Sequence, residues 1–223
     1  MVKNTPAHIS AFFATHRMVI LLVTILILII GKPLLMGIFN YRFIPDVMLT
    51  IIFVAAIHAI SRRRMDVYVS LGLAIPMFAG VWSSYWIENI NLLMASQIFG
   101  VLFVAFTISR LTRYIFHEKE VTQEVIFAAV VVYLLMAITW AFLYLIQEFF
   151  RPGSISFPFD QSLDFYNFLY FSCVTITTLG YGDVLPLTQQ ASALAILEAI
   201  TGQMYLVVVV AWLVGMYVSR RSR

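Results

Sequence analysis

From Val125 to Gln147 the chain runs for 23 residues without one charged side chain. A helix that crosses a bilayer needs about 20 predominantly apolar residues, and only helices and closed barrels satisfy their own backbone polar groups in hydrocarbon. The stretch is not isolated. Apolar runs at 18–38, 67–86, 92–109 and 194–219 also qualify, and a shorter one at 47–60 gains length through Asp46 and Ser61 at its ends. Hydrophobic residues make up 62% of the 223 positions and charged residues 11%. That leaves too little polar surface to coat a water-soluble globule. The expected fold class is an all-α integral membrane protein with six transmembrane helices.

A seventh run, at 165–177, is too short to cross and carries hydroxyl groups, so it reads as a re-entrant helix that enters and leaves on the same side. The 18–38 run is too long for a cleavable signal peptide and no small-residue cleavage site follows it. Charge sets the direction. With both termini inside, Lys3, Arg17, Arg62, Arg63, Arg64, Arg110, Arg113, Lys119, Arg220, Arg221 and Arg223 are cytoplasmic, and only Lys32, Arg42 and Arg151 lie outside. Eleven of the 14 basic residues then obey the positive-inside rule. The same layout, short basic clusters between apolar runs, argues against a nucleic-acid face despite the net charge of +3. A hydrophilic stretch at 116–124, FHEKEVTQE, divides the chain into a four-helix domain at 1–115 and a second domain at 125–223.

The short helix leads into Thr175-Ile176-Thr177-Thr178-Leu179-Gly180-Tyr181-Gly182-Asp183. An ion inside a membrane must shed water, and oxygens at fixed spacing must replace the lost shell. Backbone carbonyls do this only where the chain is extended with successive carbonyls facing one axis. Glycine at alternate positions relieves that geometry because it tolerates positive φ, and Gly180 and Gly182 supply it. Thr178 adds a hydroxyl oxygen below the carbonyls, and Tyr181 is free to brace the strand from behind. The preceding helix would point its negative dipole end at the same axis and favour a cation.

This segment resembles the signature of potassium channels. The likeness is close over 169–186 and looser over 121–221, the two-helix pore unit. It implies a selectivity filter built from Thr178, Leu179, Gly180, Tyr181 and Gly182, with K+ ions held at Thr178, Leu179, Gly180 and Tyr181 and no organic cofactor. It implies a fourfold homotetramer, since one loop cannot close a ring of carbonyls. Asp183 resembles the aspartate that braces the filter in that family. Many relatives carry an aromatic pair early in the pore helix, often with a tryptophan that donates to this aspartate. Here the pair is Tyr170-Phe171, and Tyr170 offers a hydroxyl instead. Val174 stands where some relatives carry a glutamate behind the filter.

Glu198 is the only acidic residue deep in a span, and an intramembrane ionisable group is a functional candidate by default. The functional reading is filter support through a hydrogen bond to Ser172, Thr177 or the filter backbone; the plain one is a protonated, satisfied carboxyl. Gly202, 20 residues past Gly182, matches the family's hinge glycine, and Gly215 is a second hinge candidate. Close helix packing, suggested by Ala191, Ala195 and Ala199 at four-residue spacing, is the alternative for Gly202. Gln203 faces either a water-filled cavity or the bundle. Glu148, Asp160, Asp164 and Asp183 against Arg151 read as a negative outer mouth or as ordinary loop charges.

Six spans with a pore loop are similar to voltage-gated potassium channels, except at the sensor. Moving charge through the field requires arginines at every third position inside a span, about 2.3 kcal/mol per charge per 100 mV. The 92–109 run contains no Lys or Arg, and Arg110 and Arg113 follow it as end anchors. Steep voltage gating is not expected. Arg62, Arg63 and Arg64 fit topology, or contact with anionic lipid. His8, His16, His58 and His117 are scattered, and the single cysteine, Cys173, excludes thiol-pair chemistry. No catalytic motif is present, so no enzyme is expected. The sequence ends about one turn past the last span, which on this reading leaves no room for a cytoplasmic gating domain. The resulting expectation is a tetrameric potassium channel in a bacterial inner membrane, with lipid and its own copies as partners and neither nucleic acid nor a soluble substrate. The alternatives are a weakly selective cation channel of the same fold, a transporter subunit, or a non-conducting membrane protein with a relic filter.

Overall fold

Seven helices and one pair of short strands account for the described residues of the computed structural model, namely 16–35, 44–61, 63–87, 89–158 and 164–221. Lys3, His8, Arg42, Arg62, Asp160 and Arg223 lie outside them, as do the side chains of Lys32, Arg220 and Arg221. The order is α1 (Arg17–Leu35), α2 (Ile44–Ile60), α3 (Arg64–Ser83), α4 (Ile90–His117), α5 (Gln123–Phe150), β1 (Ile155–Ser156), α6 (Phe165–Ile176), β2 (Leu185–Pro186) and α7 (Gln189–Arg221). Four of these helices, α3, α4, α5 and α7, are long and apolar enough to cross a bilayer. Arg17–Gly31 and Asp46–Ile60 are shorter apolar helices.

Local chemistry fixes the starts. Asn89 caps α4 by accepting from the amides of Asn91 and Leu92, Thr122 caps α5 through Val125, and Asp164 caps α6 through Tyr166. Each satisfies amides that the first turn leaves orphaned. Several helices outrun their apolar stretches. α4 carries Arg110 and Arg113 inside it and ends only at His117, so the connection to α5 shrinks to 118–122. The reason is that backbone hydrogen bonding continues past the apolar boundary wherever residues are good helix formers, and cations near the last turn suit the helix dipole.

α1 to α4 pack on one another, and α4 and α1 both pack along α5. Phe53 of α2 stacks on Phe103 of α4, with ring centroids 4.1 Å apart, and meets Phe78 of α3 edge-on at 5.4 Å. Where α3 crosses α4 the backbones close in at Gly80, whose absent Cβ would lie 2.3 Å from Ser96 Cβ. In hydrocarbon such close approach supplies the association energy, because lipid tails are as apolar as leucine. Two hydrogen bonds fasten α1 to α5 and α6. Met18 N donates to Glu124 Oε2 (3.4 Å) at one end, and the Tyr166 hydroxyl donates to the carbonyl of Ile29 (3.0 Å) at the other. Near the first of these ends the Arg110 guanidinium pairs with Asp66 of α3 at 2.8 Å.

The loop between α5 and α6 is organised from within. Glu148 is buried, and its carboxylate accepts from the amides of Gly153 (2.6 Å) and Ile155 (3.0 Å). It is therefore neither a mouth charge nor an ordinary solvated one. β1 pairs antiparallel with β2, Ile155 opposite Pro186 and Ser156 opposite Leu185, which pins the loop beside the chain leaving α6.

Candidate functional site

α6 is a 12-residue helix, too short to cross a bilayer. The chain reverses direction beyond it, and the amides of the turn are spent on the helix itself. Thr178 N donates to Thr175 O (2.9 Å), and Leu179 N and Gly180 N both donate to Val174 O (3.0 and 3.3 Å). The next feature is an alternation. Thr178, Gly180 and Gly182 have φ of 58°, 58° and 80°, one positive value at every second residue. Two of the three are glycines, as left-handed backbone favours; at Thr178 the side chain must tolerate that conformation. With the amides turned towards α6 and the backbone hand alternating, the chain has the ingredients for presenting carbonyl oxygens on one side.

Residues 177–183 are all exposed on the single chain, Leu179 at 55% and Tyr181 at 67%. Asp183 is held in place, for the Tyr170 hydroxyl donates to it at 2.7 Å and its own side chain accepts from Val184 N at 3.1 Å. The Thr177 hydroxyl turns back to its own helix, donating to Cys173 O at 2.7 Å. It shares no hydrogen bond with Glu198, whose carboxyl partners are Ser172 and Tyr144.

Glu198 lies behind α6, fully buried. Its carboxyl meets the Ser172 hydroxyl on α6 and the Tyr144 hydroxyl on α5, the latter at 2.5 Å. Ser172 Oγ also lies 2.8 Å from the carbonyl of Ala137 on α5. One turn further along α7, Gly202 packs against the end of α6. A Cβ there would meet Ile176 Cγ1 at 2.5 Å and Ile176 O at 3.0 Å, while Gly215 faces open space. α7 runs unbroken through both glycines. Gln203 is exposed.

Three tyrosines that sequence reasoning passed over complete the frame. The Tyr133 hydroxyl donates to Ile176 O (2.9 Å), satisfying a carbonyl at the α6 terminus, and Tyr205 stacks near Tyr133 and donates to Ala129 O (2.8 Å). A signal existed. Tyr133 and Tyr144 are 11 residues apart in an otherwise apolar helix, about three turns, so both hydroxyls lie on one face.

Residues 121–219 match the family model described as ion channel, a span that begins just before α5 and closes within α7. No curated protein and no solved structure gave a match. Four helices are long and apolar enough to cross a bilayer, and the part of the chain that holds the last two of them, with α6 between, is similar to ion channels.

Proposed function

We propose that the chain is one subunit of a homotetrameric, potassium-selective channel with six crossing helices, both termini cytoplasmic, and the loop between α5 and α7 facing out. K+ would pass through a filter of carbonyls from Thr178, Leu179, Gly180, Tyr181 and Gly182. The observation that carries this reading is the alternate positive φ at 178, 180 and 182 in a TTLGYGD segment whose first amides are tied to a short helix. Carbonyls arranged in that way replace an ion's hydration shell. The tetramer draws on α7. Its buried residues fall at 191, 198, 202 and 209, a single narrow stripe, while Ile196, Ile200, Val207, Val210 and Val214 are each more than half exposed. Copies of the same helix around a central axis would cover those faces.

Passive conduction follows, without a steep voltage dependence, since the cation nearest the apolar stretch of α4, Arg110, lies just past it and is paired to Asp66. Asp183 and Tyr170 support the filter from the outer side and Glu198 from behind, and Gly202 and Gly215 are the points at which α7 would bend. Potassium flux into liposomes from purified protein tests the reading. Uptake of potassium in preference to sodium is expected in wild type and that preference is lost in Gly180→Ala, whereas equal sodium and potassium uptake in wild type would refute it.

A further inference from the structure

The hydrogens around Glu198 can be counted. Ser172 has one hydroxyl hydrogen and two acceptors within reach, Ala137 O at 2.8 Å and a carboxyl oxygen of Glu198. Tyr144 spends its one hydrogen on the other carboxyl oxygen. If the carboxyl were ionised, Ser172 would have to donate to it, and the close Ser172–Ala137 contact would contain no hydrogen. If the carboxyl holds a proton on the oxygen facing Ser172, every hydrogen has an acceptor. Glu198 donates to Ser172, Ser172 donates to Ala137 O, and Tyr144 donates to the carbonyl oxygen of the acid.

Charge points the same way. Arg151 is the only basic residue between Val125 and Ser219, and it is exposed at the end of α5. Among the described residues an anion at Glu198 would be buried with two hydroxyls and no cation, which costs several kcal/mol in an apolar interior. The titratable groups that face it are Tyr144 and Tyr133 of α5 and Cys173 of α6, none of them a cation.

We infer that Glu198 carries a resident proton and that this proton fastens the inner helix to the filter's supporting helix and, through Ser172, to α5. The inference rests on the channel reading for its functional consequence but not for its chemistry. Loss of the proton to bulk water at high pH leaves Ser172 serving the carboxylate and unfastens α6 from Ala137. Four copies around the axis would respond together.

Glu198→Gln tests this. Its amide nitrogen donates to Ser172 and its oxygen accepts from Tyr144, so it reproduces the neutral pattern without a titrating group. Wild-type tetramers should show the infrared carbonyl band of a protonated carboxylic acid at neutral pH, lost in Glu198→Gln. Potassium current in wild type should fall as pH is raised, and in Glu198→Gln it should be retained without that fall. Glu198→Ala should lose most of its current or its tetramer. Absence of the band in wild type would overturn the inference, as would a Glu198→Gln channel as impaired as Glu198→Ala. The band reports the proton even if no current is found, in which case the channel reading fails and the proton does not.

Discussion

At the residue scale, the central feature is the alternation of backbone hand at Thr178, Gly180 and Gly182. Nothing crowds the two glycines on the single chain, so a substitution there acts through φ rather than through a clash. An L-residue held in that region costs about 1–2 kcal/mol. Gly180→Ala should therefore leave the monomer folded and abolish potassium selectivity, read as a shift of reversal potential towards zero. Tyr170→Phe removes one exposed donor to Asp183. It should speed the decline of current at low potassium while leaving helix content unchanged, a pair of readouts that separates filter support from folding. These positions were legible in the sequence because the motif sets side-chain identity and glycine placement together. Glu198 was legible as an acid out of place, and Ser172 was among its foreseen partners. Tyr144 was not foreseen, because a tyrosine in an apolar helix looks like packing until a partner from another helix is brought against its hydroxyl.

At the element scale, α3, α4, α5 and α7 were readable as helices long enough to cross from apolar length alone, since in a bilayer length and satisfied backbone leave few alternatives, whereas the apolar parts of α1 and α2 are shorter. Their ends were less readable. α4 extends to His117 because helical hydrogen bonding ignores the hydrophobic boundary, and the Asp66–Arg110 pair appears only once α3 is laid against α4. Asp66→Ala leaves a part-buried guanidinium without its partner and should lower stability by about 1–3 kcal/mol, measured as a reduced thermal midpoint in detergent. Arg110→Gln should leave the slope of conductance against voltage unchanged, since that charge lies past the apolar stretch 92–109 and is held by Asp66. The two glycines of α7 should behave differently. Gly202→Ala drives a methyl group into Ile176 and should destabilise by about 1–3 kcal/mol. Gly215→Ala meets open space and should be neutral or stabilising by up to about 1 kcal/mol, since alanine favours helix. A melting series over the two variants checks both, and a normal Gly202→Ala melt with altered opening would single out bending at that position.

At the scale of the whole molecule, residues 177–183 and most of α7 are left uncovered on the single chain, surfaces that the proposed tetramer would bury. The sequence carried the assembly only through resemblance, because symmetry leaves no mark on one chain beyond the apolar faces it fails to cover. The mass of the purified complex in detergent should correspond to four chains. Above all, the proposed tetramer passes potassium and holds back sodium. The most direct measurement is the reversal potential of purified protein in a planar bilayer with potassium on one side and sodium on the other. A reversal far from zero, on the side set by potassium permeation and lost in Gly180→Ala, is the predicted result. A reversal near zero in wild type would rule out a potassium-selective pore.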